Sequence, residues 1–277
     1  MGTELSRRGY NYGDPLFPPR ALLDNPGLVS KIHKDYVEAG CDLITTNTLC
    51  SAAVALQSAG LDEAETEINE LAFELAAAAA AKSKVEGGTS VAASIGPLSS
   101  FFPNRNPTDA QLMMAQESHA SHLALAGAEL ALCETMPSVR EARIAVQAAI
   151  HAGMEVIVSF VPKDSRHLIS GETIDTAVRA IEPMGPKAIC LNCCSLEVMD
   201  SALATLLALS SVPVGAYASI GTQPPDREES SSTIHVLRHA ERWLEFGVRI
   251  IGGCCGTTPE HIRTLRKKLP FGPPKSD

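Results

Sequence analysis

Short, nearly continuous apolar runs alternate along this chain with longer stretches in which apolar residues recur every three or four positions. The runs fall at 42–46, 90–95, 129–133, 155–160, 188–192, 212–217 and 248–252. The amphipathic stretches fall at 62–83, 109–126, 138–151, 173–181, 196–208, 232–246 and 259–269. Apolar runs without polar alternation suit the strands of a parallel sheet covered on its outer side. Strand-then-helix repetition predicts βαβ units, and no Pro/Ser-rich linker divides the series. The pattern therefore predicts one domain over 1–277, an α/β fold of the (β/α)8 TIM-barrel type. The 277 residues match the roughly 250 of such a barrel. The count gives seven strands. An eighth belongs ahead of Met1-Gly2-Thr3-Glu4-Leu5, which reads as a loop entering a helix, so the first strand is expected to be missing.

Several strands end in polar residues that their apolar runs do not need. Thr45-Thr46-Asn47 follows the first and Ser94 stands near the end of the second. Cys133-Glu134 closes the third, Asn192-Cys193 the fifth, and Gly253-Cys254-Cys255 the last. In a parallel barrel all these ends lie on one rim, where active sites are built.

Composition narrows the function classes. Lys and Arg total 23 against 32 Asp and Glu, a net charge of −9 with a pI near 5.4. Such a chain is a poor partner for nucleic-acid backbones or anionic membrane surfaces. Its richest apolar stretch, 71–81, contains Glu74 and is too short to span a bilayer. The N-terminus lacks the basic-then-apolar order of a secretory signal. Met1-Gly2 with Ser6 fits the loose N-myristoylation pattern, but Gly2 has a better explanation below. Eight cysteines with no export signal predict a reducing, cytoplasmic setting in which thiols serve metal binding or chemistry.

Five of those cysteines form two tight groups, Cys190/Cys193/Cys194 and Cys254/Cys255. In a regular strand the side chains of neighbours 254 and 255 would point to opposite faces. Gly252, Gly253 and Gly256 allow backbone angles that could bring both sulfurs to one point. Thr258-Pro259, or a Thr257/Glu260 capping box, then starts a helix whose N-terminus favours thiolate. Cys193 or Cys194 can supply a third sulfur. No histidine lies within two residues of either group, so three thiolates with an open fourth position describe a catalytic rather than a structural Zn2+ site. Inert buried cysteines and a Cys254/Cys255 redox pair are the other readings of the same spacing.

Gly252-Gly253-Cys254-Cys255-Gly256, with Trp243 upstream and Thr258-Pro259-Glu260-His261-Ile262 downstream, resembles the signature of the homocysteine S-methyltransferase family. Gly2-Thr3-Glu4-Leu5, Arg7-Arg8-Gly9, Thr46-Asn47-Thr48, Ser94-Ile95-Gly96-Pro97, Glu134-Thr135 and Asn192-Cys193 agree in order and spacing, essentially end to end. The resemblance implies that Cys193, Cys254 and Cys255 bind Zn2+, with Cys194 a neighbour. It implies that Glu134 holds the substrate's amino group, and that Gly2, Thr3, Thr46, Asn47 and Ser94 line the pocket. Three departures stand out. An Asp-Gly pair and a strand that precede the Gly-Thr-Glu-Leu segment in the family are not in this chain. Tyr217-Ala218-Ser219 stands where the family often has Tyr-Pro-Asn, and Leu98 where an aromatic is usual.

The implied reaction moves a methyl group to the thiol of homocysteine, giving methionine. A free thiol with a pKa of about 8.5 is only about 3% thiolate at pH 7. Full ionisation therefore contributes at most about 2 kcal/mol, and placement against the donor must supply most of the rate. Three thiolates around Zn2+ leave a net negative centre that attracts a cation. A sulfonium, S-methylmethionine or S-adenosylmethionine, is thus the expected donor. Betaine would want an aromatic cage, for which Phe101, Phe102, Phe160 and Tyr217 lie near the rim. Selenocysteine would fit the acceptor position equally. A redox thiol protein and a non-catalytic relative disabled at its N-terminus are the remaining alternatives.

Overall fold

The computed structural model describes residues 1–10, 17–221 and 232–270. Seven parallel strands follow one another in chain order, each pairing with the next. They are β1 (Leu43–Thr45), β2 (Ser90–Ile95), β3 (Leu130–Met136), β4 (Glu155–Phe160), β5 (Ala188–Asn192), β6 (Val214–Tyr217) and β7 (Ile250–Ile251). Each lies on or overlaps one of the seven runs expected, and no strand precedes β1 among the described residues. β3 runs longer than its apolar pattern, and its register against β4 shifts between Cys133 and Met136. Thr135 lies in that shift with a left-handed φ of 61°, a conformation a β-branched residue adopts at a cost.

Eleven α-helices surround this sheet among the described residues: α1 (Gly2–Arg7), α2 (Phe17–Asp24), α3 (Pro26–Ala39), α4 (Ala53–Leu56), α5 (Glu65–Ala80), α6 (Asp109–Leu125), α7 (Val139–His151), α8 (Ile174–Ile181), α9 (Leu196–Leu209), α10 (Thr233–Phe246) and α11 (Pro259–Lys268). The side chains of Thr108, Ser138, Thr173, Ser195 and Ser232 accept backbone N–H bonds at the starts of α6 to α10. Polar caps thus end the loops that leave β2 to β6. The pattern missed α2, α3 and α4. Asn25 Oδ1 caps α3 by accepting from the Leu28 N–H at 3.1 Å, ahead of Pro26 in the first turn. At α11 the expected Thr257/Glu260 box does not form. Thr258 is the N-cap and its N–H donates to His261 Nδ1 at 3.2 Å, while the Thr257 hydroxyl donates to the Cys254 carbonyl.

Among several apolar clusters, two cover the outer and inner faces of the sheet. The large outer layer joins the backs of the strands, among them Ala131, Val158, Ile189 and Ala216, to Leu123, Ala145, Val178, Leu203 and Trp243 on the helices. A smaller inner cluster unites Ala92, Leu132, Ile157, Ala188, Cys190 and Tyr217 from β2 to β6. Residues of five consecutive strands thus form one continuous inner face, as the wall of a barrel does. β1 and β7 do not pair among the described residues. The helical layer closes there instead: α11 packs on α3, and Arg266 bridges to Asp42 at 2.9 Å.

Leu203 is fully buried in the outer layer, whereas Leu125 is 82% exposed on α6. Leu203→Ala is expected to lower the unfolding free energy by about 2–5 kcal/mol. Leu125→Ala should change it by no more than about 0.5 kcal/mol. Urea unfolding followed by circular dichroism measures both.

Candidate metal and substrate site

The strand ends bring Cys193, Cys254 and Cys255 together at the rim. One sulfur from each lies within 4.8 Å of the other two, and the Cys254 and Cys255 sulfurs are 4.0 Å apart. Cys194 points the other way, into the outer core, and is buried. The turn that separates these neighbours is made by Cys193 itself, whose φ is 58°.

Main-chain bonds hold the loop after β7. Cys254 N–H donates to the Ala218 carbonyl at 3.0 Å, and the Cys255 carbonyl accepts from Ile220 N–H at 2.9 Å. Helices from the start of the chain grip the other side. Gly256 N–H donates to Thr3 Oγ1 at 3.2 Å, Arg7 donates to the Gly256 carbonyl at 3.1 Å, and the Tyr36 hydroxyl reaches the Thr257 carbonyl at 2.8 Å. Of the three glycines expected to bend the loop, only Gly256 has a positive φ, 85°. A Cβ there would strike the Gly221 carbonyl, and one on Gly253 would strike the Thr257 side chain. Gly253 is thus needed for space rather than for backbone angle.

The three thiols share protons. Cys255 is lowered to about 3, because S–H bonds from Cys193 and Cys254 stabilise its thiolate. Cys193 is helped by the Cys254 S–H but is raised to about 11 by its own S–H bond to Cys255 and by burial. Cys254 is raised, with its S–H bound between the other two. One negative charge forms easily here and two or three do not, unless a cation joins them. The donor set fits zinc. Sulfurs at about 2.3 Å from a tetrahedral ion lie about 3.8 Å from each other, close to the separation of Cys254 and Cys255.

Glu134 stands on β3. Burial pushes its carboxyl above the ordinary carboxylate range, while the Ser94 hydroxyl, donating at 2.6 Å, opposes the rise. Ser94 is backed in turn: its N–H donates to Thr46 Oγ1 at 3.1 Å, and Thr46 pairs with Thr48 at 2.6 Å. The Tyr217 hydroxyl is buried without a hydrogen bond, and its own pKa is raised by burial and by the charge of Glu134.

The residues expected to line the pocket therefore divide. Ser94 touches Glu134 directly. Thr46 supports Ser94, and Thr3 spends its hydroxyl on the cysteine loop. Gly2 starts α1, where its carbonyl accepts from Ser6. Asn47 donates its amide to the Pro18 carbonyl at 2.6 Å. Ser159 is a fully buried serine of β4 behind this group.

The match to known proteins covers the same ground. The family model described as homocysteine S-methyltransferase matches residues 1–269. The chain belongs to the homocysteine S-methyltransferase family. The homocysteine S-methyltransferase of Escherichia coli K12 is 30% identical, with 97% of this chain and 93% of the relative covered. Homocysteine S-methyltransferase YbgG of Bacillus subtilis is also 30% identical, over 96% and 91%. The crystal structure of the metallated form of the E. coli homocysteine methyltransferase MmuM superposes with a TM-score of 0.85, at 28% identity over 97% of this chain and 94% of that one. The enzyme is thus a methyltransferase on a TIM-type barrel.

Removing the Ser94 hydroxyl takes away the bond that favours ionised Glu134. If the carboxylate holds the ammonium of the amino-acid thiol, binding is lost as pH falls through the Glu134 pKa. Ser94→Ala should move that acid limb of 1/KM for homocysteine to higher pH. The pH profiles of the two proteins, compared side by side, measure the displacement.

Proposed function

We propose that this enzyme is a zinc-dependent homocysteine S-methyltransferase that takes its methyl group from a sulfonium donor. The observation that carries the reading is the convergence of three cysteine sulfurs from two strand ends on the rim that also bears Glu134. Zinc in that set would supply an open position that takes the acceptor sulfur as thiolate at neutral pH.

The residues of the chain do the rest. Cys193, Cys254 and Cys255 hold the ion in a loop clamped from both sides. Glu134, with Ser94 fixing one of its oxygens, receives the ammonium of homocysteine and orients its side chain toward the sulfurs. Orientation of this kind is where a methyl transfer gains most of its rate. The homocysteine sulfur forms the new S–CH3 bond as the donor's S–CH3 bond breaks. That electron pair stays on the donor sulfur, so a sulfonium leaves as a neutral thioether. The thiol proton has already gone to solvent.

The positions of the aromatic residues support a sulfonium over betaine. Phe160 is buried in the outer core, and Phe101 and Phe102 pack around Leu98 and Leu112. Of the four aromatics near the rim, Tyr217 alone belongs to the inner cluster. One phenol ring makes no cage for a quaternary ammonium. A cytoplasmic location is part of the same proposal, and no described helix is long and apolar enough to cross a membrane.

Protein purified without chelator should contain about one zinc per chain and methylate homocysteine from S-methylmethionine or S-adenosylmethionine, but not from betaine. Cys255→Ser should lose zinc and at least about 100-fold in kcat/KM. Full zinc and full activity in that variant would overturn the ligand set. Betaine as the best donor would overturn the sulfonium reading, and selenocysteine methylated in preference to homocysteine would reassign the acceptor.

A further inference from the structure

Asn192, the last residue of β5, is fully buried and uses every hydrogen-bonding capacity of its amide. Its Oδ1 accepts from the Thr135 backbone N–H at 3.2 Å and from the Ser159 hydroxyl at 2.8 Å. Its Nδ2 donates to Thr135 Oγ1 at 2.9 Å and to the Cys254 sulfur at 3.9 Å. Two further facts single out this position. Asn192 immediately precedes Cys193, and its amide clamps Thr135, the residue after Glu134. Cys193 and Thr135 are two of the three described non-glycine residues with a positive φ. Backbone held in that region persists where its surroundings over-determine it, and Asn192 adjoins both places, one through its side chain and the other as the preceding residue.

We propose that Asn192 is the positioning residue that joins the two halves of the site. Through Nδ2 it aims the Cys254 sulfur, and through Thr135 it fixes the stem of Glu134, so the metal ligand and the amino-acid anchor keep a set separation. The inference rests on the zinc reading above. An N–H donor beside a thiolate also withdraws electron density from the sulfur, and partners of this kind set a ligand's direction and tune the bound ion. The donor is the decisive part. Oδ1 organises backbone and Ser159, whereas only Nδ2 meets a sulfur.

Asn192→Asp keeps the shape and the two acceptor contacts but puts a charged oxygen in place of Nδ2, the donor to both Cys254 and Thr135 Oγ1. Asn192→Ala removes both roles, and Ser159→Ala removes one acceptor contact while leaving the donor. Cobalt(II) titration with a competing chelator, monitored at the thiolate-to-cobalt charge-transfer band, reads the sulfur side. KM for homocysteine against kcat reads the Glu134 side. Asn192→Asp and Asn192→Ala should each weaken cobalt binding by about tenfold or more and shift the charge-transfer band. Both should also raise KM for homocysteine, whereas Ser159→Ala should stay within about threefold of the parent in both readouts.

Unchanged cobalt affinity and band position in a folded Asn192→Asp would overturn the proposal, since the Cys254 sulfur would then not depend on the Nδ2 donor. Failure of the parent protein itself to bind cobalt through thiolates would overturn the zinc reading instead. In that case alkylation of the metal-free protein, mapped by mass spectrometry, still decides the role of Asn192. Cys254 should be alkylated several-fold faster, relative to Cys255, in Asn192→Ala than in the parent, and an unchanged ratio would refute it.

Discussion

Two strand ends must stay in register for three sulfurs to remain within reach of one ion. Main-chain bonds among the loops after β5, β6 and β7 carry part of this register. Ser219 N–H donates to the Cys194 carbonyl at 2.8 Å, and the β6 loop also exchanges bonds with Cys254 and Cys255. The middle loop thus acts as a spacer between the two that carry sulfur. Because parallel strands pair in chain order, the spacing of these loops is inherited from the sheet. The chemistry is then set by which side chains stand at strand ends.

Charge reinforces that geometry. The same few residues carry a carboxyl raised by burial, thiols that resist a second ionisation and a phenol held neutral. Each group alone would be a cost of folding. Together they form a site whose electrostatics would relax on meeting cations, as the proposed ion among the sulfurs and the proposed ammonium at Glu134 would provide. Perturbed groups gathered on a barrel rim are what a binding site for charged ligands requires.

Much of this was legible in the chain because barrel strands are nearly continuous apolar runs and because the polar residues that interrupt them are few. Cys193, Cys254, Cys255, Glu134 and Ser94 each stand at the end of such a run. What the pattern could not show depends on direction rather than position. Asn47 looks equivalent to Ser94 as a polar residue after a strand, yet its amide serves the Pro18 carbonyl. Thr135 gives no sign of its left-handed backbone, since a β-branched residue is a poor candidate for it. α3 opens on a good helix start, Asn25-Pro26, but lies ahead of β1 and so outside the strand-then-helix repeat.

The first helix and the last βα loop have a further bearing on how the molecule is made. Thr3 and Arg7 bind Gly256 across 253 and 249 residues of sequence. Contacts of such span form late, after the intervening chain has left the ribosome and collapsed. A nascent chain carries Cys193 some sixty residues before its partners at 254 and 255 are synthesised. The three sulfurs can therefore meet only after the loop that follows β7 has been made, and the grip of α1 on that loop falls among the later steps of assembly.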